Sequence, residues 1–174
     1  VSENARGVRA ERVISADPLA VESEDERLAI GRRSNSFRFL FEFVSSLAGR
    51  PLDPVLDTEL ERFVYFMQLG DDLGDWREDF LSQRWTSFLR SCFRELGTGD
   101  VDEATLESHV YLSGAYEERL AEVVGGFEDI DRRLRERGCY EGVADLSRAQ
   151  AEAARAQLVR FVSEKVRLGV VEPA

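Results

Sequence analysis

The stretch Gln68-Leu69-Gly70-Asp71-Asp72-Leu73-Gly74-Asp75-Trp76-Arg77-Glu78-Asp79 constrains the fold of this 174-residue chain more than any other. Its apolar and acidic residues separate into two stripes on a helix. At about 3.6 residues per turn, Gln68, Asp71, Asp72, Asp75, Asp79 and, farther on, Thr86 fall within one narrow arc, while Leu69, Leu73, Trp76 and Phe80 occupy the next. The spacing predicts a helix with an apolar seam beside an anionic one. Carboxylates one turn apart oppose helix formation by roughly 0.2–0.5 kcal/mol per pair, so the stripe needs water or bound cations to offset the repulsion. Mg2+ suits it, because this ion prefers hard oxygen ligands and is held by one or two carboxylates together with phosphate oxygens of a substrate. The plain alternative is a solvated acidic face. The spacing excludes a calcium EF-hand, and a di-iron bundle would need paired Glu-x-x-His motifs, whereas His109 is the sole histidine.

The remaining chain reads as helical throughout. Ser23 with Glu26 forms a capping box that opens a helix running towards Ala48, with Phe37, Leu40, Phe41, Val44 and Leu47 at core spacing and a kink between Gly31 and Ser36. Gly49-Arg50-Pro51-Leu52 makes a turn, and Asp53 as N-cap with Pro54 at the first helical position opens the helix of the acidic run. Trp85 to Leu96 continues that helix or begins a short second one, and Gly97-Thr98-Gly99-Asp100 breaks it. Asp102 caps a long helix to about Arg137 with a bend at Gly125-Gly126. The last helix runs from about Val143 to Leu168, carries Leu146, Leu158, Phe161 and Val162 inward, and is closed by Gly169. Alternation suited to strands is missing, so the expected fold is all-α, an antiparallel helical bundle in a single domain over 1–174, with 1–20 a frayed or truncated segment.

Composition narrows the partners. A formal net charge of −11 argues against nucleic acid, whose phosphates are held by clustered Lys and Arg. No apolar run reaches the roughly 18–20 residues of a bilayer span and no signal peptide is evident, which predicts a cytoplasmic protein without a transmembrane segment. Cys92 and Cys139 lack paired metal spacing and fit reduced, buried thiols; His109 has no nucleophile motif around it and is given no role.

The run from Gln68 to Asp79 resembles the second aspartate-rich motif of class I isoprenoid synthases. Gln68-x-x-Asp71-Asp72-x-x-Asp75 is similar to the polyprenyl diphosphate synthase version, and Asp75-Trp76-Arg77-Glu78-Asp79 to the squalene and phytoene synthase version. The likeness covers this one helix. It implies an all-α fold with an apolar cavity, acidic motifs on two facing helices, Mg2+ ions and an allylic isoprenoid diphosphate substrate. On that likeness Asp71, Asp72, Asp75, Asp79 and Glu78 are the expected Mg2+ ligands, and Gln68 orients a ligand or a metal-bound water. The first acidic motif of the family has no counterpart here, since Glu22-Ser23-Glu24-Asp25-Glu26 lies too close to the second motif and reads as a helix start. The chain begins at Val1 and its only methionine is Met67, so the expectation is the C-terminal half of a larger synthase, or one subunit of a split one, inactive when isolated.

Arginine presents a planar fork suited to phosphate oxygens, which makes Arg32, Arg33 and Arg38, in or near the kinked section of an aromatic helix, candidates for holding the diphosphate. Arg38, between Phe37 and Phe39, is preferred, and Arg84 follows the acidic run by about one turn. The alternative for each is a solvated helix face. Aromatic residues cluster around the run, and those lining a cavity would stabilise an allylic cation by roughly 0.5–2 kcal/mol each. A lipid product favours transient membrane contact, and a homodimer or a partner subunit is compatible with the sequence. The competing function class is a noncatalytic helical module, either a degenerate synthase subunit or an unrelated interaction domain.

Overall fold

The computed structural model describes residues 17–21, 23, 36–49, 51–138 and 140–170. These contain seven α-helices and no strand: α1 Ser36–Leu47, α2 Pro54–Gly74, α3 Trp76–Leu81, α4 Ser87–Leu96, α5 Glu103–Leu112, α6 Ala115–Glu136 and α7 Glu141–Arg167. No helix among them is long and apolar enough to cross a membrane. Glu26 of the expected cap, residues 31–35 of the expected kink, among them Arg32 and Arg33, Cys139 and most of 1–20 lie outside the described residues.

Helix starts follow local chemistry. The Asp53 carboxylate accepts from the Val55 N–H at 2.8 Å with Pro54 at the first position, and Asp102 accepts from the Thr105 N–H at 2.7 Å. Each satisfies an otherwise orphaned N-terminal donor. Gly97 ends α4 in the left-handed region at φ 73°, and Gly169 follows α7 at φ 72°, conformations that a side chain resists.

α6 and α7 form the broadest helix pair, and their cross-links fix it as antiparallel. Tyr116 stacks near Phe161, Glu117 meets Lys165, Glu128 meets Arg155 and Arg135 meets Asp145, so numbers rise on one helix as they fall on the other. α2 lies on the other flank of α6, also antiparallel: Phe63 and Phe66 pack on Phe127, Arg62 bonds Asp129 at 2.7 Å, and Glu59 approaches Arg133. Leu56, Leu60, Phe63, Phe66, Leu69, Leu73 and Trp76 recur at steps of three and four and are all buried. Such a stripe contributes roughly 1.5–3 kcal/mol per large side chain, the term that holds α2 in the centre. Phe88, Leu89, Cys92 and Phe93 of α4 complete the core beneath it. Burial pushes the Cys92 thiol up to about 12, so it is protonated and inert at neutral pH.

Two expectations are corrected, and the glycine pair takes on a packing role. The helix opened by Asp102 does not run to Arg137; it stops at Leu112 and restarts at Ala115, because Gly114 takes φ 97° and the Ser113 hydroxyl accepts from the Ala115 N–H. α6 runs unbroken through Gly125-Gly126. Gly126 lets helices close, since a Cβ there would stand 2.2 Å from the Phe66 ring. Leu40, Val44 and Leu47 of α1, and Leu146 and Val162 of α7, are exposed rather than inward, while Phe41, Leu158 and Phe161 are partly buried against the core.

Candidate functional site

The acidic run begins on the last turn of α2 and crosses into α3. Asp75 stands between them at φ −104°, ψ 9°, yet its N–H donates to the Asp71 carbonyl at 3.0 Å and its own carbonyl accepts from the Asp79 N–H at 3.0 Å. The helix therefore bends at Asp75 while its hydrogen-bond ladder continues. Gly74, a poor helix former, and the repulsion between Asp71 and Asp75 both favour the bend here. Thr86, expected on the same stripe, lies beyond α3 and serves as the N-cap of α4.

The acidic residues of the run divide into two edges. Asp71, Asp75 and Glu78 lie on the outer edge and are exposed, with Asp75 and Glu78 lining an open groove of 590 Å³ together with Gly74, Arg77, Leu81 and Ser82. Asp72 and Asp79 lie on the inner edge and are buried at 7% and 5% exposure, with half-buried Gln68 beside Asp72. A rotation of about 100° per residue explains the division, because 68, 72 and 79 fall within about 40° of one another, and 71, 75 and 78 within about 60°.

Two contacts tie the inner edge to neighbouring backbone and side chains. The Asp72 carboxylate accepts from Gln68 and from the Ser87 backbone N–H, an orphan donor of the first turn of α4. Asp79 pairs with Arg84 at 3.1 Å, and the Arg84 N–H donates to the Asp79 carbonyl at 2.8 Å, which closes the turn between α3 and α4. Ser87 was not legible as part of the site, although the Thr86-Ser87 start before Phe88-Leu89 is the signal of the helix N-terminus that Asp72 reaches.

These carboxylates sit in an electrostatically crowded place. Burial, then the charge of Asp79, raises Asp72 to about 7 despite the opposing hydrogen bonds. Burial also raises Asp79, assisted by Asp75 and Glu78 and opposed by Arg84, while burial and Asp75 raise Asp71. Burial outweighs the positive charge that Arg84 brings to Asp79, and carboxylates raised in this way cluster at functional sites and also occur in structural networks. Among the described residues, no three His, Cys, Asp or Glu side chains are gathered closely enough to hold a metal ion.

Of the arginines predicted to serve the site, Arg84 and Arg38 lie among the described residues, and only Arg84 stands beside the acidic run. Arg84 touches Asp79 and is mostly exposed. Arg38 lies on α1, whose Leu40 and Phe41 share an apolar groove with Leu60 and Phe63 of α2. Leu60 is about 18 Å along the helix axis from Asp72, so α1 and the acidic run occupy opposite halves of α2. Arg77, inside the run, is turned away to Glu103 and Glu107 of α5. The apolar groove, 350 Å³ and completed by Tyr140, Gly142, Val143 and Leu146, likewise lies away from the carboxylates. Compared with models of known families, with curated proteins and with solved structures, the chain matches none.

Proposed function

We propose that the chain supplies the second acidic motif of a Mg2+-dependent site for an allylic isoprenoid diphosphate, as in class I isoprenoid synthases. The observation that carries the reading is the crowding of Asp71, Asp72 and Asp79, whose carboxylates are all raised by burial, with further repulsion from neighbouring acids, while the cation paired with Asp79 is the largely exposed Arg84. Oxygen donors of this charge fit Mg2+, which would relieve the repulsion and take its remaining ligands from water and phosphate. In this reading exposed Asp71, Asp75 and Glu78 would hold the ion, Asp72 would join them on losing its proton and Asp79 on exchanging Arg84 for the metal, and Gln68 would hold Asp72 in place. Bound Mg2+ supplies neutralisation of the departing diphosphate.

The first acidic motif then comes from a facing helix outside the acidic run, on a further segment or a partner subunit. Arg84 is the arginine best placed to meet a diphosphate, and Arg32, Arg33 and Arg38 remain candidates only if their part of the molecule reaches the same face. A cytoplasmic setting with transient membrane contact accords with a lipid product.

A second reading, a noncatalytic helical module, is favoured by one specific observation: Asp72 and Asp79 already have structural partners in Ser87 and Arg84. Isothermal titration with an unreactive farnesyl diphosphate analogue, with and without Mg2+, in the completed protein or with the missing half supplied, separates the two. Binding that requires Mg2+ and weakens about tenfold or more in Asp71→Asn or Asp75→Asn supports the synthase reading. Absence of binding, or equal binding by wild type and both variants, gives the site to the noncatalytic module.

A further inference from the structure

Asp79 and Arg84 are joined in two layers, one of backbone and one of side chains. The backbone layer ends α3: the Arg84 N–H donates to the Asp79 carbonyl at 2.8 Å and the Gln83 N–H to the Phe80 carbonyl at 3.0 Å, with Gln83 in the left-handed region at φ 55°. This is the arrangement in which a chain doubles back over the last turn of a helix, although glycine rather than glutamine usually takes the left-handed position. It holds residues 79 and 84 together whatever their side chains do. The side-chain layer is a single contact, 3.1 Å from Nη2 of Arg84 to Oδ1 of Asp79. The arginine side chain is 65% exposed and the aspartate side chain 7%, so the guanidinium reaches in from solvent over a buried acid. Asp75 and Glu78 repel the charge of Asp79, and Arg84 is the cation that opposes them, since Arg77 is taken up by Glu103 and Glu107 of α5.

We propose that Arg84 is an exchangeable lid on Asp79: it covers the carboxylate while no divalent cation is bound, yields it to such a cation, and then turns to phosphate oxygens of the diphosphate that follows. The lid rests on the diphosphate reading and gives it an order, metal before diphosphate, set by one side chain. The two backbone bonds keep the turn closed when the side-chain pair parts, so the exchange needs no refolding of the α3–α4 connection. A guanidinium this exposed swings without displacing core atoms. Among the described residues no three His, Cys, Asp or Glu side chains are gathered closely enough to hold a metal ion, so a cation at the run has few protein ligands and the release of Asp79 counts in its affinity. Once free, the planar fork of Arg84 matches two phosphate oxygens, which the carboxylates around it repel.

Mn2+ shares with Mg2+ the preference for hard oxygen ligands, and its binding to the purified chain, followed by electron paramagnetic resonance of the free ion, tests the lid. Arg84→Gln should bind Mn2+ about fivefold more tightly than wild type, the gain expected when a competing ion pair of this kind is removed. With Mn2+ present it should bind inorganic diphosphate about tenfold more weakly, the loss of a charge-assisted hydrogen bond. Far-ultraviolet dichroism should not change, because the bonds that close the turn come from the backbone; should Arg84→Gln lose helix content, Arg84→Met provides the same reading. Asp79→Asn separates a lid from a mere neighbouring charge. In that background Arg84→Gln has no carboxylate to release, and its gain in Mn2+ affinity should fall below about twofold, the scatter of independent sites. A gain that persists there overturns the lid, as do equal Mn2+ affinities of wild type and Arg84→Gln or undiminished diphosphate binding by the variant; each of these leaves the acidic run as a metal site. Failure of wild type and Arg84→Gln alike to bind Mn2+ overturns the lid together with the diphosphate reading.

Discussion

Asp72 pays for its position with its charge. Its neighbours at the α4 N-terminus favour the carboxylate, but burial and Asp79 oppose it more strongly, and its pKa stands near 7 rather than at the ordinary value of 3.8. The folded chain thus holds a proton that the unfolded chain releases above about pH 4. Protonation stabilises the fold, and this contribution is lost as pH rises from about 4 to about 7, at about 1.4 kcal/mol for each unit of difference between the two states. Asp71 and Asp79 are raised too and tilt stability in the same direction. Asp72→Asn keeps an acceptor for the Ser87 N–H and removes the charge. Its urea midpoint at pH 7.5 should exceed that of wild type, and the difference should shrink towards pH 4. A variant less stable than wild type at pH 7.5 would show that the charge at Asp72 is compensated in solution.

At the scale of helices, elements were more legible than their burial. Asp53-Pro54, Asp102 and Gly169 announce helix ends through local chemistry, and the structure uses all three as read. The apolar stripe Leu69, Leu73, Trp76 and Phe80 is likewise packed inward as periodicity predicts. Periodicity could not show that the acidic arc spans a boundary between solvent and interior, because whether Asp72 meets water or the Ser87 N–H depends on where α4 returns in space. Nor could it show which face of α1 finds a partner. The glycine pair of α6 was legible only in part for the same reason: helix propensity marks both residues as weak points, while tertiary packing gives them different surroundings. A Cβ at Gly126 meets three atoms of the Phe66 ring within 2.4 Å, and that ring is held between Tyr65 and Phe127; a Cβ at Gly125 meets nothing within 4 Å. Gly126→Ala should therefore cost about 1–3 kcal/mol through overpacking, against a propensity gain of about 1 kcal/mol that Gly125→Ala should enjoy without opposition. Denaturant midpoints of the two variants should move in opposite directions from wild type. Equal stabilisation by both would mean that α2 and α6 are less closely joined than Phe66 indicates.

For the whole molecule, the distribution of charge and apolar surface separates binding from turnover. A chain of −11 repels a free diphosphate, so in the proposed reading approach would depend on cations at the acidic run, whose outer edge of Asp71, Asp75 and Glu78 is exposed. Ionising an allylic diphosphate asks for more. Charge must be neutralised from both sides of the leaving group, and the cation left behind needs a cavity that excludes water. In the proposed reading the acidic run would supply one side, and the apolar groove between α1, α2 and α7 lies about 18 Å from Asp72 when measured along α2 from Leu60. Incubated with Mg2+ and geranyl, farnesyl or geranylgeranyl diphosphate, the purified chain should release no diphosphate above the rate of a matched Asp71→Asn, Asp75→Asn control, even under conditions where an unreactive analogue binds. Diphosphate release well above that control would place both halves of the metal site within these 174 residues and would reject the reading in which a second acidic motif comes from elsewhere.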